Sequence, residues 1–126
     1  MSNKTVLIIG VIFLLLVGGL IGYQKYTESL PDKLDSFAQC LGEKGAKFYG
    51  AFWCPHCQDQ KKVFGRSAKY LPYVECSTAD GRGKLQVCLD ERVDGYPTWK
   101  FADGTAVSGL ASTEILAQKT DCTLPQ

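Results

Sequence analysis

Eleven residues, Lys47-Phe48-Tyr49-Gly50-Ala51-Phe52-Trp53-Cys54-Pro55-His56-Cys57, leave this chain few architectures. The run opens as an apolar, aromatic segment, the pattern of a buried strand. Pro55 suits the first turn of a helix, where its missing N–H costs nothing. The segment that follows, Gln58 to Lys69, contains no proline and one glycine, Gly65. Cys54 therefore falls where a strand ends and a helix begins. Unpaired N–H groups and the positive end of the helix dipole favour an anion there, and a thiolate is such an anion. Cys57 lies one turn further on, within reach of a disulfide to Cys54.

The chain has 126 residues, six of them cysteine, and all six lie after residue 39. Such density in a short chain reads as disulfides outside the cytosol and as metal or catalysis within it. Formal net charge is +1, and removing Lys4 from the 14 Lys and Arg leaves 13, equal to the 13 Asp and Glu. No basic excess points to nucleic acid.

Before the cysteines comes Thr5–Tyr23, 19 residues without a charge. As a helix it spans roughly 28 Å, about the hydrocarbon core of a bilayer. Tyr23 and Tyr26 suit the interface, and Lys4 with the terminal amine places the N-terminus in the cytoplasm by the positive-inside rule. Residues 1–23 are thus expected to anchor the chain in a membrane, 24–32 to link, and 33–126 to form a domain outside. The rival is a signal peptide cleaved near Val17-Gly18-Gly19, which would leave the domain secreted or periplasmic. Gly18 and Gly22 make a Gly-x-x-x-Gly pair, for which tolerated lipid-facing glycines are the plain reading.

Within the domain, Leu34, Phe37, Ala38 and Leu41 recur with helical period, and Gly42 and Gly45 end that helix. Strands are expected at 46–52 and 72–76, a helix at 55–70, and a short helix at 84–92 carrying Cys88. Lys62, Arg66 and Lys69 line a solvated face of the longer helix. Trp99-Lys100-Phe101 and Thr105–Ser108 flank the turn signal Asp103-Gly104 as a hairpin. Ser112 caps a last helix over 113–119. The order α, β, α, β, α, β, β, α calls for a small mixed sheet, its first pair parallel through a right-handed crossover and its last pair antiparallel.

This order, with Trp53 before the Cys-x-x-Cys and Tyr96-Pro97 about forty residues after it, resembles the thioredoxin fold over roughly residues 32–119. The resemblance implies that Pro97 is cis and packs against the redox cysteines. Three segments carry a narrower likeness: Gly45 to Cys57, then Tyr73-Val74-Glu75-Cys76-Ser77, then Gly95-Tyr96-Pro97-Thr98-Trp99. They are similar to the thioredoxin-like domain fused to bacterial vitamin K epoxide reductase homologues, which passes electrons from secreted proteins to a membrane quinone reductase. The Cys-Pro-His-Cys centre is also that of periplasmic disulfide oxidases. With one apolar span here, that membrane enzyme would be a separate, quinone-linked partner. In one place the chain departs from the family. The buried Asp or Glu that many members carry six residues before the first redox cysteine is Phe48 here, which leaves Cys57 without its usual proton acceptor.

These residues divide into roles. Cys54 is the expected nucleophile, or the attacked sulfur when oxidised, and Cys57 resolves the mixed disulfide. His56, the sole histidine, sits where an imidazolium or its N–H stabilises a Cys54 thiolate. A more stable reduced form is a stronger oxidant, so the dipeptide favours dithiol oxidation and protein disulfide formation. Trp53 offers a face to substrate or packs, and the backbone at Tyr96, Pro97 and Thr98 can pair with an extended substrate segment.

The remaining four cysteines allow three pairings. Cys76–Cys88 closes a local loop over the turn-rich segment 77–83, leaving Cys40 and Cys122 to staple the domain ends or to stay as free buried thiols. A single Cys-x-x-Cys and one histidine argue against zinc, and the exchange calls for no cofactor. The leading reading is a membrane-anchored, extracytoplasmic thiol–disulfide oxidoreductase that oxidises substrate proteins. The alternatives are a reductase for cytochrome maturation or disulfide repair, and a binding module of the same fold in which Cys54–Cys57 is only structural.

Overall fold

The computed structural model describes residues 2–30 and 32–125. The chain divides into two units, 1–31 and 32–126. The first is a single helix, α1 (Asn3–Ser29), long and apolar enough to cross a membrane or to serve as a signal sequence. It runs six residues past Tyr23, into the segment expected to link, because Gln24 to Ser29 contains neither proline nor glycine. Leu30 then turns extended, with φ −68° and ψ 138°, the conformation favoured before a proline. Pro31 itself, assigned to the linker by sequence, lies outside the described residues, as do Met1 and Gln126.

The second unit contains α2 (Asp35–Glu43), β1 (Lys47–Gly50), α3 (Pro55–Phe64), β2 (Tyr73–Glu75), α4 (Gln86–Asp90), β3 (Thr98–Lys100), β4 (Ala106–Ser108) and α5 (Thr113–Thr120). The sheet order is β2-β1-β3-β4, with β1 and β2 parallel and the other pairs antiparallel. This mixed sheet flanked by helices is the thioredoxin-like fold. The strands are shorter than their apolar runs, since Ala51, Phe52 and Trp53 already turn toward α3. The helix expected over 55–70 breaks at Gly65, whose φ of +53° stops the α-helix; Gly65–Tyr70 continues as a 3-10 helix.

Phe48 on β1 organises the core. It is fully buried, its ring stacks on Trp99 of β3 at 4.9 Å and meets Tyr73 of β2 edge-on at 5.1 Å. Phe37 of α2 stacks on Phe64 of α3 at 6.1 Å, which seats both helices on one core. Tyr49, alternating to the other face of β1, joins Cys76, Cys88 and Val93 in a second, smaller cluster. Fully burying each of the aromatic side chains contributes about 1.5–3 kcal/mol.

A polar residue ties α3 to the far end of the sheet. Gln60 is fully buried, on the inward series Cys57, Gln60, Phe64. Its Nε2 donates to the Ala111 carbonyl at 3.0 Å, and its Oε1 accepts from Ala111 N–H at 2.8 Å and from Trp99 Nε1–H at 3.3 Å. The loop between β4 and α5 is therefore fastened to the helix that opens at Cys54. Ser112 then caps α5 by accepting from the Ile115 N–H.

Candidate redox site

Cys54 is the N-cap of α3 and Pro55 its first residue. The turn before it is held by Cys54 N–H donating to the Ala51 carbonyl at 3.0 Å and by Gln58 Nε2 donating to the Phe52 carbonyl at 3.0 Å. Cys54 is 5 % exposed and Cys57 fully buried. Both are free thiols in the structure. Cys54 is the less buried of the two; Cys57 faces inward, over β1.

The environment separates the two sulfurs chemically. Burial pushes the Cys57 thiol up to about 12, aided by the Cys54 side chain and by its charge, while the backbone at Ala51 and the Lys61 ammonium act the other way. Such a thiol holds its proton at neutral pH. Gly50 makes its seat possible. A Cβ on Gly50 would stand 2.9 Å from Cys57 Sγ and 2.8 Å from Tyr73 Cε2, so sulfur and ring edge close over the same bare Cα.

The residues singled out by sequence fall around this pair. The Tyr96–Pro97 peptide is cis and Pro97 is buried. The Tyr96 carbonyl lies 3.8 Å from Cys54 Sγ. Trp53 is half-exposed, meets the Tyr96 ring edge-on at 6.0 Å and donates its indole N–H to Ser77 Oγ at 2.9 Å. His56 is exposed on the first turn of α3. Thr98 is set back inside the sheet, between β1 and β4, its hydroxyl donating to the Gly95 carbonyl at 2.8 Å. The structure brings Trp53, Cys54, Cys57 and Tyr96 together and holds Thr98 one step away.

The other four cysteines form two bonds, Cys40–Cys122 across 82 residues and Cys76–Cys88 across 12. Cys76–Cys88 sits in the smaller cluster behind β1. Cys40–Cys122 joins α2 to the tail beyond α5. Neither takes a sulfur from the Cys54–Cys57 pair.

Two site residues carry no role in the sequence reading. Glu75 of β2 accepts the Tyr73 hydroxyl at 2.8 Å on Oε2, and on Oε1 the N–H groups of Ser77 at 2.8 Å and Phe52 at 3.2 Å. Tyr73 lies under the Lys61 ammonium, 3.6 Å from its ring centroid. Burial, first, and then Glu75 and the cysteine charges hold the Tyr73 phenol protonated well above its ordinary range. The signal was present: period-two alternation puts Tyr73 and Glu75 on one face of a strand, and a carboxylate is unusual in so apolar a setting.

No protein-family model matches the chain. It is 45 % identical over 96 residues to the thiol-disulfide oxidoreductase LTO1 of Arabidopsis thaliana, a match covering 72 % of this chain and 25 % of that protein. It is 35 % identical over 75 residues to the thioredoxin domain-containing protein 5 homolog of Drosophila melanogaster, covering 51 % of this chain and 17 % of that one. The chain thus spans a quarter or less of the curated relatives it matches. Residues 32–126 form a domain of the thioredoxin-like fold, similar to one part of a plant thiol-disulfide oxidoreductase, with a paired-cysteine site at the N-terminus of α3.

Proposed function

We propose that this chain is a membrane-anchored, extracytoplasmic thiol–disulfide oxidoreductase that oxidises substrate dithiols through a Cys54–Cys57 disulfide. The observation that carries this reading is the division of labour within the pair. Cys54 is the outer sulfur, at the helix N-cap and beside the Tyr96 carbonyl; Cys57 is sealed inside with a strongly held proton. In the forward direction a substrate thiolate attacks Cys54 Sγ. The Cys54–Cys57 bond breaks and Cys57 leaves with the electron pair, taking up a proton. A second substrate thiolate then attacks the substrate sulfur of the mixed disulfide, and Cys54 leaves as a thiolate at the helix N-terminus, where the dipole stabilises it.

Trp53 and Tyr96 flank the outer sulfur and form the contact surface for substrate, with Pro97 behind them. His56 acts on the Cys54 thiolate from the first turn of α3. The two structural disulfides suit an oxidising compartment, and α1 serves as the anchor, its N-terminus cytoplasmic. Reoxidation falls to a separate quinone-linked membrane protein of the vitamin K epoxide reductase type.

The reduction potential of Cys54–Cys57, measured in the full chain in detergent against glutathione, tests the direction. A value of about −120 to −180 mV supports disulfide donation, whereas one near −270 mV makes the protein a reductase.

A further inference from the structure

We propose that Glu75, acting through the Tyr73 hydroxyl, is the proton acceptor for Cys57. The proposal rests on the oxidoreductase reading and identifies the residues that let its inner thiol react.

The sheet register places the pair. Phe48 is opposite Tyr73 and Gly50 opposite Glu75 in the parallel β1–β2 ladder. Paired residues point to the same face, and alternation puts all four on one face. That is the face Cys57 presses on, since its Sγ would collide with any side chain at Gly50. Phe48 fills the position that would otherwise hold an inward acid on β1, stacked on Trp99. The carboxylate on this face stands instead on the neighbouring strand.

The groups around it are consistent with a proton path. Tyr73 Cε2, the ring atom next to the hydroxyl-bearing carbon, borders the same Gly50 Cα as Cys57 Sγ. The hydroxyl donates to Glu75 Oε2 at 2.8 Å. Glu75 Oε1 is fixed by the Ser77 and Phe52 N–H groups, so the carboxylate is oriented from both sides. Other charged or titratable groups face the site from two elements: Lys61 and the N-cap Cys54 from α3, and Tyr96 from the loop before β3. The remaining carboxylate on α3, Asp59, is paired with Lys62 at 2.9 Å. Burial alone would leave Cys57 unreactive at neutral pH, so a local acceptor is what the site requires.

The step balances. When Cys54 is held in a mixed disulfide, the Cys57 proton passes to the Tyr73 oxygen as the Tyr73 proton passes to Glu75. Cys57 sulfur, now an anion, attacks Cys54 Sγ. The Cys54–Cys57 bond forms, the bond from Cys54 to the outer sulfur breaks, and the outer group leaves as a thiolate with the electron pair. Glu75 later returns its proton to solvent.

Stopped-flow mixing of the reduced full chain in detergent with oxidised glutathione separates the two events. Attack by Cys54 depends on glutathione concentration; ring closure by Cys57 does not. Glu75→Gln, which keeps an acceptor oxygen for the two backbone N–H groups, is expected to slow ring closure at least tenfold at pH 7. The loss should shrink as pH rises and hydroxide replaces the carboxylate. Tyr73→Phe should act in the same direction, with the Cys54 phase of both variants within twofold of wild type. Ring closure within twofold of wild type in both variants across pH 6–10 overturns the proposal, as does equal slowing of both phases. If Glu75→Gln does not fold, Tyr73→Phe decides alone. A reductase-range potential would overturn the oxidase direction and leave this relay standing, whereas unchanged ring closure would remove the relay and leave the direction standing.

Discussion

Gln60→Met removes a fastening and little else. Methionine matches the length of glutamine, so the change mainly deletes hydrogen bonds. Three go: Nε2–H to the Ala111 carbonyl, and Oε1 from Ala111 N–H and Trp99 Nε1–H. Trp99 and Ala111 are buried, so two N–H donors are left without partners or water. Each such donor costs about 1–3 kcal/mol, about 4 kcal/mol for the pair. The added apolar burial returns about 2 kcal/mol, which leaves a net loss of about 2 kcal/mol. For a domain of this size that lowers Tm by roughly 8–16 °C. Near-UV circular dichroism of the full chain in detergent, oxidised in both wild type and variant, follows the melt through the buried tryptophan. A Tm within 2 °C of wild type would refute the reasoning, for it would mean that the loop before α5 finds other partners for its N–H groups.

Two further outcomes follow from the cysteines. The Cys57 thiol is raised in the fold to about 12 from an ordinary 9, chiefly by burial, so the folded protein binds a proton that the unfolded chain has released. Stability of the reduced protein is therefore full below pH 9 and falls as pH climbs toward 12; urea midpoints should begin to decline near pH 9 in reduced protein, whereas in Cys57→Ala the decline should start only above pH 10, where the raised Tyr73 phenol takes over. The double variant Cys40→Ala, Cys122→Ala opens a loop of 82 residues and should lose about 4 kcal/mol of stability by loop-closure entropy; a urea midpoint unchanged from wild type would contradict that.

What could be read without coordinates was mostly local. Pro55 after Cys54, Asp103-Gly104 between two short apolar runs, and Ser112 before Thr113 each specify their own structure through neighbours in the chain, and the element order follows from them. Boundaries moved where a single backbone preference prevailed. Gly65 ended α3 six residues early through its positive φ, and the lack of a breaker carried α1 to Ser29. Gln60 and Glu75 escaped because their meaning lies in partners far along the chain. Gln60 meets Ala111, 51 residues on, and Glu75 receives Phe52 N–H from 23 residues back. A glutamine in a helix and a glutamate in a strand look solvent-facing until the register is known. Gly50 is similar: its lack of a side chain matters only because Cys57 and Tyr73 lean on it from two other elements.

The Cys40–Cys122 bond also bears on how the domain comes into being. A chain emerges from synthesis N-terminus first, so Cys40, Cys54 and Cys57 are the first three cysteines to appear, and the partner of Cys40 emerges last of all six. Cys76 and Cys88, 12 residues apart, can pair soon after they emerge. Cys40 must wait through 82 residues, with the two redox thiols as its nearest company. Pairing in order of appearance would join Cys40 to Cys54 and seal the site with the wrong bond. Correct pairing therefore requires that Cys40 stay reduced, or be reshuffled, until Cys122 emerges.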